Sequence, residues 1–541
     1  MIAWSQHLIT LPILIPLITG AGLLFIPDRQ RLSKAMVSLA ATITLALVSL
    51  LLIELSRESN FDGVYPLGNW GAPFGIVLVL DRLSALMVAL TGILALPVII
   101  FSLARWHSAG AHFHSLYQFL LMGLNGAFLT GDLFNLFVFF EVMLTASYGL
   151  LLHGSGPLRV KAGMHYIAVN LAAALLFLVG VSLVYGTTGT LTMADLAERI
   201  PTLEPDRRML MEAGAAVLGV AFLIKAGMWP LCFWLPSAYS VAVAPVAAIF
   251  TLMSKVGVYI LLRLTMLLFS DGPSAGFGSE VLLYGGLATL AFGTIGVVAS
   301  QALARIGAYS VLVSSGTLLA VIGLNNTAAT SGALLYLLSS TLTLGAFFML
   351  VELVERGQDA GASILAVTME FYGEADDDVP DEIQGATMPA TLAMLGICFA
   401  ACAVLLSGLP PLSGFVAKFV MLSALIGTGS IGVHPSGPAL LLVALVILGG
   451  LATLIALSRA GIRTFWSSIE GTVPPVLVME IVPIMLILAL TAALTIRAGP
   501  ALDFMDAAVH AIANPSIYSE AVERAAPQPP WRDKTLQGSG E

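Results

Sequence analysis

Long apolar runs, each near the length of a bilayer crossing and separated by short polar loops, fill most of the chain. They are Leu8–Ile26, Ala35–Leu55, Leu83–Ala104, Leu116–Leu129, Leu133–Leu152, Met164–Tyr185 and Met211–Tyr239, followed by Val241–Phe269, Val281–Ser300, Ile306–Leu324, Ala333–Val354, Met388–Leu425, Ala439–Leu457 and Val476–Ile496. A run of about 20 apolar residues crosses the hydrocarbon core as a helix, because a helix satisfies its own backbone groups where no water can. The pattern therefore predicts an all-α polytopic membrane protein with about 14 transmembrane helices. Met211–Tyr239 and Met388–Leu425 exceed one crossing and hold internal prolines, Pro230 and Pro236 in the first and Pro410 and Pro411 in the second. Proline removes a helix hydrogen bond and clashes with the preceding turn. Each of these runs predicts one discontinuous helix.

The loops are short enough for their lysines and arginines to set the orientation. With the N-terminus outside, Arg29, Arg31, Lys34, Arg105, Arg159, Lys161, Arg305, Arg356, Arg459 and Arg463 lie inside. Arg57, Arg82, Arg199, Arg207, Arg208 and Arg497 lie outside. This bias favours an outside N-terminus, and an even number of spans then puts the tail Arg497–Glu541 outside too. The tail, with Pro527, Pro529 and Pro530, reads as loosely ordered beyond an amphipathic piece near Asp503–Ile512. The inside segment Arg356–Pro389 contains GEADDDVPDE and reads as a solvated connector, with cation attraction or partner docking as the alternative.

Composition agrees with the runs. Of 541 residues, 58% are hydrophobic and 10% charged, and the mean hydropathy is +0.96; soluble domains are about 25% charged. The formal net charge of −9, without a basic cluster, excludes nucleic acid as a partner. Cys232, Cys398 and Cys402 fall in apolar segments, which argues against a disulfide framework or a zinc site. The N-terminus lacks a basic leader and reads as a span. A Walker loop, a GxGxxG helix, a CxxC pair and a catalytic triad are all missing, so neither a cofactor nor a metal is expected.

The informative residues are charges inside the runs. The chain has six lysines, and Lys225, Lys255 and Lys418 fall within hydrophobic spans. Each costs about 2.5–3.5 kcal/mol to insert, and such residues usually mark an ion path. Lys225 and Lys418 lie in the two interrupted runs, where freed backbone groups need protein or water partners. Glu141, in NLFVFFEVMLTASYGL, is the carboxylate deep in the first half, and pairing with Lys225 across facing helices is the natural inference. The alternative is a static ion pair that fixes packing, a poor stabiliser against apolar replacements. A buried lysine whose partner changes charge can exchange protons, and a row of such groups titrates as a coupled set. Asp132 and Asn135 stand at the mouth of the Glu141 helix, where capping and ion uptake are both open readings. Arg263 is expected to snorkel from a span end, and His165 to be a packing residue. Ser339, Ser340, Thr341 and Thr343 form a polar stripe suited to hydrogen bonds between helices.

Five stretches carry a family resemblance. FFEVML at Phe139–Leu144, KAGMWPLCFWLPSAYSVAVAP at Lys225–Pro245, SKVGVYILLR at Ser254–Arg263, AYSVLVSSG at Ala308–Gly316 and GLPPLSGFVAKF at Gly408–Phe419 resemble the antiporter-like subunits. These occur in respiratory complex I, membrane-bound hydrogenases and Mrp-type cation/proton antiporters. The resemblance covers roughly Leu83–Leu457, and the length, the PLCFWLP wording and the connector before GLPPLSGF are most similar to the D-type subunits of multisubunit Mrp antiporters.

The resemblance implies two inverted five-helix repeats with broken helices at corresponding places. It divides the chain into transmembrane helices 1–3 (residues 1–110), a first repeat of helices 4–8 (111–270), a second of helices 9–13 (281–458), a last helix (476–496) and the tail (497–541). It implies that Glu141 is the paired carboxylate, Lys225 its partner, Lys255 the bridging lysine and Lys418 the terminal lysine of a proton axis. Cys232 replaces a histidine common in the family, and Ser339 and Leu344 replace a histidine and a lysine, so the link from Lys255 to Lys418 must use hydroxyls and water. The implied function is the proton-translocating subunit of a multisubunit antiporter in the bacterial inner membrane. It would work among other antiporter subunits and membrane lipid, exchanging H⁺ for Na⁺ or another monovalent cation, as a secondary transporter and not an enzyme. The alternative is a proton-pumping subunit of a redox complex, whose driving reaction would belong to partners.

Overall fold

The computed structural model describes residues 4–27, 29–58, 63–70, 75–372, 390–427, 435–465 and 476–525, giving only the backbone for 4–5, 69 and 357–372. The acidic residues 373–382, the rest of the connector to 389 and the tail beyond 525 lie outside the described residues.

The first third comprises the short turn α1 (Trp4–His7), then α2 (Leu11–Phe25), α3 (Arg31–Leu55), α4 (Arg82–Ala104), α5 (Phe113–Leu129) and α6 (Leu133–Leu151). Next come α7 (Pro157–Thr188), the short α8 (Met193–Arg199), α9 (Pro205–Ala226), α10 (Trp234–Val241) and α11 (Ala244–Leu268). The second half holds α12 (Ser279–Ala299), α13 (Leu303–Gly323), α14 (Thr327–Tyr372), α15 (Ala390–Ser407), α16 (Ser413–Ile426) and α17 (Gly437–Phe465). The chain ends with α18 (Val478–Ile496), α19 (Ala498–Ile512) and α20 (Pro515–Ala525). Among the described residues, 13 helices are long and apolar enough to cross a membrane. The fourteenth apolar run is α5, which at 17 residues is shorter and carries His114, Gln118 and Asn125. The chain is a multi-pass membrane protein.

Both long runs are broken as their prolines predict. α9 stops at Gly227, which has φ 74°, and the chain passes a cis Trp229–Pro230 bond before α10. α15 stops before Gly408, φ 77°, and a cis Pro410–Pro411 bond precedes α16. The left-handed conformation at both positions favours glycine. The freed backbone groups find partners: Trp229 N donates to Thr289 Oγ1 at 2.8 Å, and Trp234 Nε1 donates to the Ile224 carbonyl at 3.2 Å.

α11 is buried along its whole length, and so is most of α14 between Ala329 and Val354. These two helices pack together at the centre, so side chains there sit far from lipid. Close approach depends on small residues. A Cβ on Gly257 of α11 would lie 2.6 Å from the Ala226 backbone nitrogen of α9.

Three segments depart from the sequence reading. Strands β1 (Val64–Pro66) and β2 (Val77–Val79) pair antiparallel, with Val64 opposite Val79, in a loop where no strand is predicted. Leu78 also bridges to Thr130, which ties this sheet to the start of α6. The tail is not loosely ordered as far as Ala525: α19 and α20 fold back, and α20 packs on α8 and β1. Met505, Val509, Ile512, Tyr518 and Val522 supply the buried apolar face that holds it there. The connector's first residues likewise continue α14 as helix to Tyr372.

Candidate functional site

Lys225 is the penultimate residue of α9, just before its break, and is 6% exposed. Its Nζ donates to Asn170 Oδ1 on α7 at 3.0 Å and lies 5.8 Å from the centre of the Phe140 ring. Asn170 is held in turn by its Nδ2, which donates to the Tyr166 carbonyl at 2.8 Å. Glu141 stands on α6, half-buried beside Phe140. No direct ion pair joins Glu141 to Lys225 among the described residues; the two act on each other through space. Asn170, an uncharged residue in an apolar run, has no signal in the sequence, yet it holds the lysine.

Lys255 is completely buried on α11. Its Nζ donates to Ser314 Oγ at 2.8 Å and to Ser315 Oγ at 3.4 Å, both on α13. Ser314 Oγ lies 2.9 Å from Ser340 Oγ on α14, and the neighbouring Ser339 Oγ lies 2.8 Å from Ser413 Oγ at the start of α16. A cavity of about 10 Å³, lined by Ser314, Tyr336, Ser339, Ser340, Leu344 and Leu406 among others, sits between these hydroxyls. That is room for about one water. Ser339 and Ser340 thus face the path. Thr341 and Thr343 do not: their hydroxyls donate to the Leu337 and Ser339 carbonyls of their own helix, both at 2.7 Å.

Lys418 is 8% exposed on α16. Its Nζ donates to the Ser407 carbonyl at 3.0 Å and the Leu406 carbonyl at 3.2 Å, groups freed where α15 ends. The Tyr336 ring centre lies 5.9 Å away. A Cβ on Gly408 would come within 2.6 Å of Lys418 Cδ, so the glycine at the break also makes room for the lysine. Hydroxyls and one water-sized space therefore lie between Lys255 and Lys418. Cys232 is buried in the first break and Leu344 on α14.

The other expectations divide. Asp132 caps α6, its Oδ1 accepting from Asn135 N at 2.8 Å. Burial pushes its carboxyl up, against backbone hydrogen bonds from Asn135 and Phe134. Arg263 does not snorkel. It is 2% exposed, pairs with Asp81 at 2.8 Å, and donates to Tyr259 Oη at 2.9 Å. The ordered tail explains this, because Tyr518 lies over the guanidinium, 5.6 Å from the ring centre, and closes it off. His165 is exposed and not a packing residue. A second buried charge cluster escaped the sequence reading at the opposite end of the bundle. Glu480 of α18 pairs with Arg356 at 2.7 Å and Arg105 at 3.3 Å, and Glu352 accepts from Arg356 and from Trp106 Nε1 at 2.8 Å. Glu352 sits at the end of an apolar run and Glu480 at the start of one, where carboxylates read as ordinary span ends.

Residues 130–434 match the family described as NADH:quinone oxidoreductase/Mrp antiporter, TM. The D-type subunit of a probable K(+)/H(+) antiporter of Rhizobium meliloti is 58% identical over 527 residues, covering 96% of this chain and 98% of that protein. The D-type subunit of an Na(+)/H(+) antiporter of Alkalihalophilus pseudofirmus is 34% identical, covering 96% and 99%. A chain in the Mrp complex structure from Dietzia sp. superposes with TM-score 0.80 at 25% identity, covering 96% of this chain and all of that one. A chain of respiratory complex I from Thermus thermophilus shares the fold at TM-score 0.72 and 22% identity, covering 93% and 99%. The chain belongs to the NADH:quinone oxidoreductase/Mrp antiporter transmembrane family.

Proposed function

We propose that the chain is the proton-translocating subunit of a multisubunit antiporter that exchanges H⁺ for a monovalent cation across the bacterial inner membrane. One observation carries the reading: Lys225, Lys255 and Lys418 are buried in the bundle and held by neutral oxygens alone among the described residues. A static ion pair would join a lysine to a carboxylate. Neutral acceptors leave the proton on the lysine exchangeable, because among the described residues no carboxylate is bonded to it. In this reading Glu141 loads Lys225, Lys255 receives the proton at the centre, and Lys418 is the terminal carrier. The first half, residues 111–270, and the second, 281–458, form the two inverted repeats, each broken at its fourth helix, after the three N-terminal helices of residues 1–110. Other antiporter subunits complete the assembly. The relative at 58% identity is named for K⁺ and that at 34% for Na⁺, so K⁺ is the first cation to supply.

The test uses everted vesicles from cells without other antiporters, with all subunits expressed together. Lys225→Ala and Lys418→Ala each abolish cation-dependent dye dequenching while the subunits still purify together. Near-normal exchange by either variant refutes the axis. Co-purification with iron–sulfur subunits overturns the antiporter reading in favour of a redox-driven pump.

A further inference from the structure

A cavity of about 250 Å³ opens at the end of the bundle where α3 and α5 begin, away from the lysine axis. Arg31 and Lys34 line it from the first turn of α3, His107 from the turn Trp106–Ser108, and His114 from the first turn of α5. Three features define its chemistry. α5 starts without a side-chain cap on His112, and its first residues Phe113, His114 and Ser115 line the cavity. The first N–H groups of a helix have no partner within it and attract negative charge.

His114 supplies the second feature. It is 4% exposed, and among the described residues neither of its ring nitrogens has a hydrogen-bond partner; Nδ1 of His107 is also buried without one. A buried neutral imidazole needs one acceptor and one donor. The third feature is charge: Arg31 and Lys34 line the cavity and, among the described residues, no carboxylate does. Burial, and then Arg31, hold the His107 imidazole below its usual range.

We propose that this cavity binds the phosphodiester headgroup of an anionic phospholipid of the inner leaflet. Phosphate oxygens accept from the α5 N–H groups, from Arg31 and from the His114 N–H, and a headgroup hydroxyl donates to the other His114 nitrogen. A lipid is favoured over free phosphate by the surroundings. Phe25, Leu32 and Met36, 88%, 75% and 57% exposed, give acyl chains an apolar surface beside the cavity. The basic loop residues put this end of the bundle inside, where basic pockets between helices meet anionic headgroups.

The intact complex in neutral detergent is titrated with dioctanoyl phosphatidylglycerol, dioctanoyl phosphatidylcholine or inorganic phosphate in separate arms, and read by native mass spectrometry. The wild-type complex retains one more phosphatidylglycerol than His114→Leu. Arg31→Gln raises the half-saturating concentration about fivefold, the effect of one basic side chain at an anionic surface. Thermal melting of His114→Leu separates ligand loss from misfolding. An imidazole that is merely unpaired would be replaced by leucine with a higher Tm and unchanged lipid retention, and that result overturns the proposal. Equal phosphatidylglycerol binding in all three proteins overturns it too. Displacement of the lipid by millimolar inorganic phosphate would make the ligand a free anion and overturn the assignment to lipid.

Discussion

Replacing Ser314 with alanine removes a hydroxyl that touches both sides of the gap between Lys255 and Ser340. In the native protein that hydroxyl is 2.8 Å from Lys255 Nζ and 2.9 Å from Ser340 Oγ. The variant leaves Lys255 with Ser315 at 3.4 Å, a weaker bond aimed at a different serine. A hydrogen bond to a charged group contributes about 1.5–3 kcal/mol. If the bond is formed while the proton passes, its loss raises the barrier by about that amount, and each 1.36 kcal/mol is a tenfold change in rate. Proton-coupled exchange should therefore slow roughly 10- to 100-fold. The neighbouring cavity of about 10 Å³ lets one water partly restore the link, which favours the lower end. Initial rates of dye dequenching in everted vesicles, scaled to the amount of assembled complex, measure this directly. Ser314→Thr keeps a hydroxyl and should retain most activity, whereas Ser315→Ala should change the rate less than Ser314→Ala. A Ser314→Ala rate within twofold of wild type would show that Lys255 and Ser340 do not act in series.

Asn170→Leu removes the acceptor that holds Lys225 and leaves a buried ammonium unpaired. Exchange should fall at least tenfold with the subunits still assembled, and Asn170→Asp should retain more of it; equal rates in wild type and Asn170→Leu would show that Lys225 is positioned by something else. A second prediction concerns acid stability. Asp81 caps α4 outside the spans. Burial works to raise its carboxyl, but Arg263 and hydrogen bonds from Arg263 and Ser84 outweigh it and hold the group below its ordinary 3.8. The stability it contributes is present above that ordinary value and lost as pH falls through the lower folded value. Asp81→Asn should flatten this acid limb and lower Tm at neutral pH, because removing one partner of a buried pair costs about 3–5 kcal/mol. An acid limb of unchanged shape in detergent melts would refute the assignment.

The helices, the two breaks and the three lysines were legible because each leaves a mark in composition. Apolar length marks a span, Pro230 and Pro411 mark an interruption, and a lysine in such surroundings stands out. What holds those lysines left no mark. Asn170, Ser314 and Ser315 are ordinary residues of membrane helices, and only the packing of α7 on α9 and of α11 on α13 shows which ones reach a lysine. The threonine stripe misled for the related reason that Thr341 and Thr343 can satisfy themselves on their own helix. Arg263 was misjudged because its counter-ion Asp81 lies 182 residues away and its cover, Tyr518, comes from a tail whose prolines suggested little order.

Glu480 joins parts of the chain that are made at very different times. It is reached by Arg105, at the end of α4, and by Arg356 of α14, yet it lies on α18. During synthesis α4 and most of the bundle are inserted long before residue 480 leaves the ribosome. Until then Arg105 lacks this counter-ion, and Arg356 has Glu352. These ends of α4 and α14 therefore reach their final electrostatic arrangement only when α18 docks against both helices. Insertion and completion are separate events here. A chain cut short before Glu480 threads its early spans without the carboxylate that Arg105 and Arg356 share in the finished bundle.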